Sequence, residues 1–250
     1  MKKIFKVLIN LIYPNKCVFC GSVTDIGKEI FICDSCRENV VFCEDALCCK
    51  ICGKPQVSLG EKNTCYSCLT KNYLAYKRAV SVVKYDGLTA QGVMRYKDGN
   101  NPKAGVVFAE LMAKRLESEL GKIEFDYIVG VATSRRRNLK RGIDPVDILC
   151  ENLAKITEIP YHKRVLKRIK DVPKQSDLNF EKRMKNLIGA IGISRGADVL
   201  GKTILLVDDV MTTGATVNEC AYVLKENGAK AVYVLTFATV VKEPKTYRNK

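Results

Sequence analysis

Two loops that nucleotide-handling α/β proteins often carry are missing: the chain has neither Gly-x-x-x-x-Gly-Lys-Ser/Thr nor Gly-x-Gly-x-x-Gly. That excludes the P-loop and the dinucleotide fingerprint. Histidine is nearly absent as well. The single one, His162, lies among cations and reads as a surface residue rather than an acid–base catalyst. No apolar run approaches the roughly 20 residues needed to span a bilayer. The nearest, Lys2 to Tyr13, is broken by Lys6 and Asn10, and no small-residue cleavage site follows. An amphipathic helix leading onward through Pro14 is expected there, with no signal peptide and no transmembrane segment. Acidic residues are scarce: 27 Asp/Glu face 42 Lys/Arg, for a net charge of +15. Residues 1–72 hold ten Lys/Arg against seven Asp/Glu and residues 73–250 hold 32 against 20, so most of the excess lies in the larger part. It suits polyanionic partners or a generally solvated basic surface.

Cysteine, by contrast, is abundant and crowded: ten of the twelve lie between Cys17 and Cys68. Such crowding fits a secreted disulfide scaffold or a metal-bound module. The remainder reads as a cytoplasmic nucleotide enzyme, so metal is the better reading. Cys17-Val-Phe-Cys20-Gly21 is followed after twelve residues by Cys33-Asp-Ser-Cys36, and Cys49-Lys-Ile-Cys52-Gly53 after twelve by Cys65-Tyr-Ser-Cys68. A Cys-x-x-Cys knuckle sets two thiolates on one tight turn, with a glycine free to take positive φ just after it. Two knuckles supply four sulfurs for tetrahedral Zn²⁺, so the repeat predicts two structural Cys₄ sites in residues 1–70. Joining Cys33 and Cys36 to Cys49 and Cys52 is an alternative pairing. Cys43 and Cys48 are surplus: buried apolar residues, alternate ligands or exposed thiols. A closed Cys₄ site leaves no place for water, so no catalytic role is assigned to the zincs.

Residues 71–250 read as one α/β unit. Ala79 to Tyr85 has strand composition, a helix runs from Gly87 to about Lys97, and Pro102 opens an amphipathic helix to Leu120. Phe108, Leu111, Met112, Arg115 and Leu116 share the spacing of its inner face. Asp126 to Val131 is a second buried strand, and Arg135, Arg136 and Arg137 follow it, where guanidinium forks suit a pyrophosphate. The most informative stretch is Ile204 to Thr216. Ile204 to Val207 forms a short continuous apolar run, the pattern of a parallel strand covered on both faces. Asp208 and Asp209 leave its carboxyl end, where open α/β sheets bind ligands. Ionised carboxylates only accept hydrogen bonds, so an adjacent pair suits sugar hydroxyls. Thr212-Thr-Gly-Ala-Thr216 is small enough for backbone to close around a ligand. A helix from about Val217 to Asn227-Gly228 aims its N-terminus there.

This last stretch resembles, along its whole length, the phosphoribosyl pyrophosphate (PRPP) loop of type I phosphoribosyltransferases. The fold implied is a parallel sheet flanked by helices, preceded by the Cys-rich zinc-ribbon module. The resemblance implies that Asp208 and Asp209 hold the ribose hydroxyls and act in catalysis. Met211, Thr212, Thr213, Gly214, Ala215 and Thr216 would form the phosphate cradle, and Mg²⁺ would accompany PRPP. The whole chain is similar to the ComF competence-protein family, through Pro14-Asn-Lys-Cys17, Tyr96-Lys97, Ser134-Arg-Arg-Arg137, Arg141-Gly142, Arg168 to Gln175, Arg183 with Asn186, and the loop. It implies a pyrophosphate contact and catalytic role for Lys97. Two departures stand out: Ala132 where the family tends to proline, and Arg141-Gly-Ile-Asp-Pro145 in place of Arg-Gly-Phe-Asn-Gln, an altered lid.

Two functions follow from the resemblance. One is ribose 5-phosphate transfer to an undetermined acceptor in DNA uptake. The other is non-catalytic, PRPP-responsive handling of single-stranded DNA through the basic stretch Lys163–Lys185, beside partners such as a helicase or ATPase. Aromatics are few in that stretch, only Tyr161 and Phe180 nearby, so base stacking is poorly supported. Nucleobase salvage is a third reading, disfavoured because no base-selecting hood is recognisable.

Overall fold

A computed structural model describes residues 15–24, 31–70, 73–99, 102–170 and 188–241. The helix expected at Lys2–Tyr13 lies outside them, as do Gln175, Arg183 and Asn186. The elements are α1 (Asp34–Asn39), α2 (Tyr66–Leu69), β1 (Arg78–Lys84), α3 (Gly87–Lys97), α4 (Pro102–Leu120), β2 (Tyr127–Gly130), α5 (Arg135–Arg141), α6 (Pro145–Thr157), β3 (Leu166–Arg168), β4 (Ile191–Ile193), β5 (Thr203–Met211), α7 (Ala215–Glu226) and β6 (Ala231–Thr239). Four strands form a parallel sheet in the order β1-β6-β5-β2, and β3 and β4 make a separate antiparallel pair.

The centre of the sheet is where the apolar runs fall. Ile204, Leu205, Leu206 and Val207 are fully buried, so β5 is covered on both faces, and α6 and α7 both pack against it. On α4, Phe108, Met112 and Leu116 turn inward as the helical spacing predicts, and Arg115 is buried with them. The Phe108 ring stacks on Phe237 of β6 at 3.7 Å between centroids. Asp144 caps α6 by accepting from the Val146 and Asp147 amides, with Pro145 opening the helix, the positions those residue types favour.

Both sheet edges are covered, which removes the exposed ladder groups that invite strand addition. At β2, the Ile128 amide donates to Pro160 and its carbonyl accepts from His162; His162 is half-buried and its ring lies 3.8 Å from that of Tyr127. At β1, the Cys-rich module does the covering. Cys43 N–H donates to Val82 O at 2.8 Å, Lys84 N–H to Val41 O at 2.9 Å, and Ala79 N–H to Ile51 O at 2.8 Å. The boundary expected near residue 70 is therefore a change in sequence composition but no break in packing: Cys17, Val18, Phe19, Cys36 and Val40 belong to the same apolar cluster as the sheet.

Candidate functional site

The structure settles the pairing of the cysteine knuckles. Cys17, Cys20, Cys33 and Cys36 converge, and Cys49, Cys52, Cys65 and Cys68 converge separately, each set with its sulfurs within 4.8 Å of one another. The alternative across the repeats is ruled out. Four thiolates at about 2.3 Å from a tetrahedral zinc sit about 3.8 Å apart, and the sulfur separations match: 3.7 Å for Cys20–Cys33 and 3.8 Å for Cys52–Cys65. Backbone amides point at the sulfurs, Cys33 N–H at Cys17 and Cys65 N–H at Cys49, as suits thiolate ligands. Gly21 and Gly53 have φ of 82° and 66°, the left-handed turn expected after each knuckle. Cys43 and Cys48 stand outside both sets, Cys43 buried and Cys48 half-buried.

The second site lies at the carboxyl ends of β5 and β2. Here the strand runs on further than the apolar run suggests, through Asp208 and Asp209 to Met211. β2 pairs with β5 only as far as Gly130↔Val207, while β6 continues to Met211↔Thr239; Asp208 and Asp209 are half-buried there, the Asp209 side chain 13% exposed. Asp209 N–H donates to Asp208 Oδ1 at 2.9 Å. Lys97, the last residue of α3, reaches Asp209 Oδ1 at 2.8 Å. Its neighbour Tyr96 is buried and donates its hydroxyl hydrogen to Pro145 O, which holds the end of α3 in place. Burial pushes the Asp208 carboxyl up to about 8, the Asp209 carboxylate adds to the shift, and Lys97 and Arg168 oppose it.

Beyond the carboxylates the chain turns at Gly214, whose φ of 84° makes it the left-handed N-cap of α7. Thr213 Oγ1 accepts from Ala215 N–H at 3.3 Å. Thr212 is exposed and Thr213 and Thr216 half-buried. The first turn of a helix leaves amides without intrahelical partners, so the start of the twelve-residue α7 beyond Ala215 suits an anion. The Met211 side chain is 1% exposed and lies under Gly214.

Three stretches singled out in the sequence take definite places here. The arginine run opens α5, with Ser134 as N-cap and Arg136 exposed. Arginines in a first turn oppose the helix dipole, so local energetics do not account for their placement. The Arg141–Pro145 segment links α5 to α6. Asp144 Oδ2 accepts from Thr133 Oγ1 at 2.6 Å and from the Asn138 amide. The basic stretch from Lys163 is also not a uniform surface. Lys163 pairs with Glu151, and Arg168 turns inward, its Nε donating to Ala132 O at 3.1 Å. Arg168 also stands near enough to Asp208 to oppose the upward shift of its carboxyl. Arg164 and Lys167 remain exposed; residues 171–185 lie outside the described residues.

A parallel sheet with acidic residues and a hydroxyl-rich anion loop at its carboxyl end, edged by two Cys₄ ribbons, defines a phosphoribosyltransferase-fold protein with a zinc-ribbon front. The family models agree. The double zinc ribbon domain family matches residues 8–69, and the phosphoribosyl transferase domain family matches residues 101–250. The chain is similar to DNA utilization protein YhgH of Salmonella typhimurium, 30% identical over 206 residues that cover 81% of this chain and 88% of that one. It is similar also to competence protein F of Haemophilus influenzae, 26% identical over 223 residues covering 88% and 94%. Adenine phosphoribosyltransferase is a structural neighbour at 16% identity and TM-score 0.40, over 58% of this chain and 74% of that one. The chain belongs to the ComF competence-protein family. Among the described residues no helix is long and apolar enough to cross a membrane.

Proposed function

We propose that the chain binds PRPP with Mg²⁺ at the carboxyl end of β5 and transfers its ribose 5-phosphate to a nucleophile, in the cytoplasm, in the uptake or use of DNA. The observation that carries this reading is the succession at the carboxyl end of β5 of Asp208 and Asp209, then the Thr212–Thr213 turn, then the Gly214-capped start of α7. In the reaction the nucleophile's electron pair forms a bond to the anomeric carbon. The bond from that carbon to the pyrophosphate oxygen breaks, and its electron pair leaves with pyrophosphate. Asp208 and Asp209 accept from the ribose hydroxyls and set negative charge beside the carbon that becomes positive. The loop amides hold the 5′-phosphate, while Lys97 and Arg168 place positive charge at the same cleft. Lys97 releases Asp209 for the ribose and turns to the pyrophosphate. Mg²⁺, bound mainly by ligand oxygens and water, would neutralise the leaving group; the oxygen donors of this cleft suit such a hard cation.

Calorimetric titration with PRPP and Mg²⁺ tests the reading. Replacing both Asp208 and Asp209 by Asn should weaken binding at least about tenfold, or about 1.4 kcal/mol, with fold and zinc content intact. Thr213→Glu should weaken it further by placing charge where the phosphate sits. Because binding needs Asp208 ionised and burial pushes its carboxyl up to about 8, affinity should rise with pH up to that value and then level off. Asp208→Asn should flatten the profile. A folded wild-type protein that binds no PRPP rejects the proposal.

A second reading keeps the ligand but drops the transfer: PRPP-responsive handling of single-stranded DNA. The exposed Arg164 and Lys167 and the DNA-utilization name of the Salmonella relative favour it. Pyrophosphate release measured with bases, nucleotides and single-stranded DNA separates the two, since the second reading requires binding without release.

A further inference from the structure

We propose that the second zinc ribbon is a strut for the ligand loop, and that Lys54 is the positioning residue that carries its support. Lys54 follows Cys52-Gly53 directly, so its backbone is fixed by a knuckle whose two sulfurs are zinc ligands. Its side chain crosses to the other end of the chain. Nζ donates to the carbonyl of Thr212, the first loop residue after β5, and to Val240 O at 2.8 Å. Val240 N–H in turn donates to Met211 O at 2.9 Å, and Thr239 Oγ1 donates to the same carbonyl at 3.2 Å. One ammonium therefore joins the end of β6 to the start of the loop.

The knuckle end of this strut is held as firmly as the loop end. Gly53 packs so closely on β1 that a Cβ there would come within 2.5 Å of Ala79 O. Ala79 N–H donates to Ile51 O on the same turn, and Gly53 N–H donates to Cys49 O at 2.8 Å. Pro55 pairs back on Cys48, which turns the chain so that Lys54 points at Thr212. This ribbon has almost no core besides its sulfurs: its buried cluster is Cys49, Cys52, Cys65 and Cys68, with Ile51, Leu59 and Leu74 only partly buried against it. Zinc thus determines whether the turn exists, and the turn determines where Lys54 stands. A charge-assisted hydrogen bond is about twice as strong as a neutral one, so the contact is strong enough to select one loop conformation. It also brings a cation to a loop built for an anion.

The consequence for PRPP rests on the functional reading above; the consequence for the loop does not. Amide exchange of residues 212–216 should be compared in wild-type protein, Lys54→Met and Lys54→Arg, with zinc content measured in each. Lys54→Met should speed exchange at these amides about tenfold, the factor that 1.4 kcal/mol makes, and weaken PRPP binding with Mg²⁺. Its zinc content and thermal midpoint should stay at wild-type values. Lys54→Arg should restore most of the protection. Cys68→Ser, which removes a ligand of the same zinc, should speed exchange in the same residues with Lys54 intact. Unchanged exchange in both Lys54→Met and Cys68→Ser overturns the inference. If wild-type protein binds no PRPP and Lys54→Met still loosens the loop, the strut stands and the ligand assignment fails.

Discussion

The two zinc ribbons share one cysteine spacing and differ in the two residues inside the first knuckle. Ribbon one has Val18 and Phe19, both buried, with Phe19 within 6.3 Å of the Phe108 and Phe237 rings. Ribbon two has Lys50, exposed, and Ile51, half-buried. That dipeptide decides how each ribbon is held. The first merges with the core of the sheet, while the second closes on its own four sulfurs and touches the sheet through backbone hydrogen bonds and close turns. The same metal chemistry is thus part of the global fold in one place and a local support in the other.

The largest contrast should come from the ligands themselves. Cys36→Ser and Cys68→Ser should each lose one zinc by elemental analysis, from about two per chain. A structural zinc contributes folding energy directly. In ribbon one that loss passes into the shared core, so Cys36→Ser should lower the main calorimetric transition by about 10 °C, the shift that several kcal/mol produces at this size. Cys68→Ser should move it by about 3 °C or less, while proteolysis opens the segment 44–69. Equal shifts would break the comparison.

A smaller contrast comes from the matched apolar positions. Phe19→Ala should cost about 3–5 kcal/mol, the usual range for emptying a buried phenylalanine site. Ile51→Ala removes a side chain that is only half out of water and should cost about 1 kcal/mol. Denaturant titration gives both values, and zinc content should hold in each variant. An Ile51→Ala cost as large as that of Phe19→Ala would mean that ribbon two has a core of its own.

Much of this architecture is legible in the sequence, for reasons that are local. The strands at 78–84, 127–130 and 203–211 are marked by apolar runs, α4 by its 3.6-residue spacing, and α7 by glycines at both ends. The cysteine repeat shows two sites but not their pairing, which depends on how the ribbons fold against β1. Two elements had a signal that was not read: Asp144-Pro145 marks the start of α6, and Ala231 to Thr239 is a continuous strand-forming run. The long-range side-chain contacts had none. Arg168 sits in a basic run, and its guanidinium meets Ala132 O across 36 residues of chain. Lys54 meets Thr212 from 158 residues away, and no local pattern encodes such a meeting.

The smallest effects should come from two glycines at which a ribbon or its partner approaches backbone to backbone. At Gly92, inside α3, a Cβ would come within 2.6 Å of Val18 O and 3.0 Å of Phe19 Cα. Alanine gains about 1 kcal/mol in helix propensity over glycine, and overpacking costs about 1–3 kcal/mol. Gly92→Ala should therefore be destabilising by a net amount near 1 kcal/mol, seen as a lower global midpoint because ribbon one moves with the core. At Gly53 the φ of 66° adds strain for any side chain, and the nearest atom is a sheet carbonyl. There Gly53→Ala should leave the global midpoint almost unmoved and act locally, raising amide exchange in ribbon two and in residues 212–216 together. If exchange rises in the ribbon alone, the turn and the loop are not mechanically joined, and ribbon two covers the edge of β1 without positioning the ligand site.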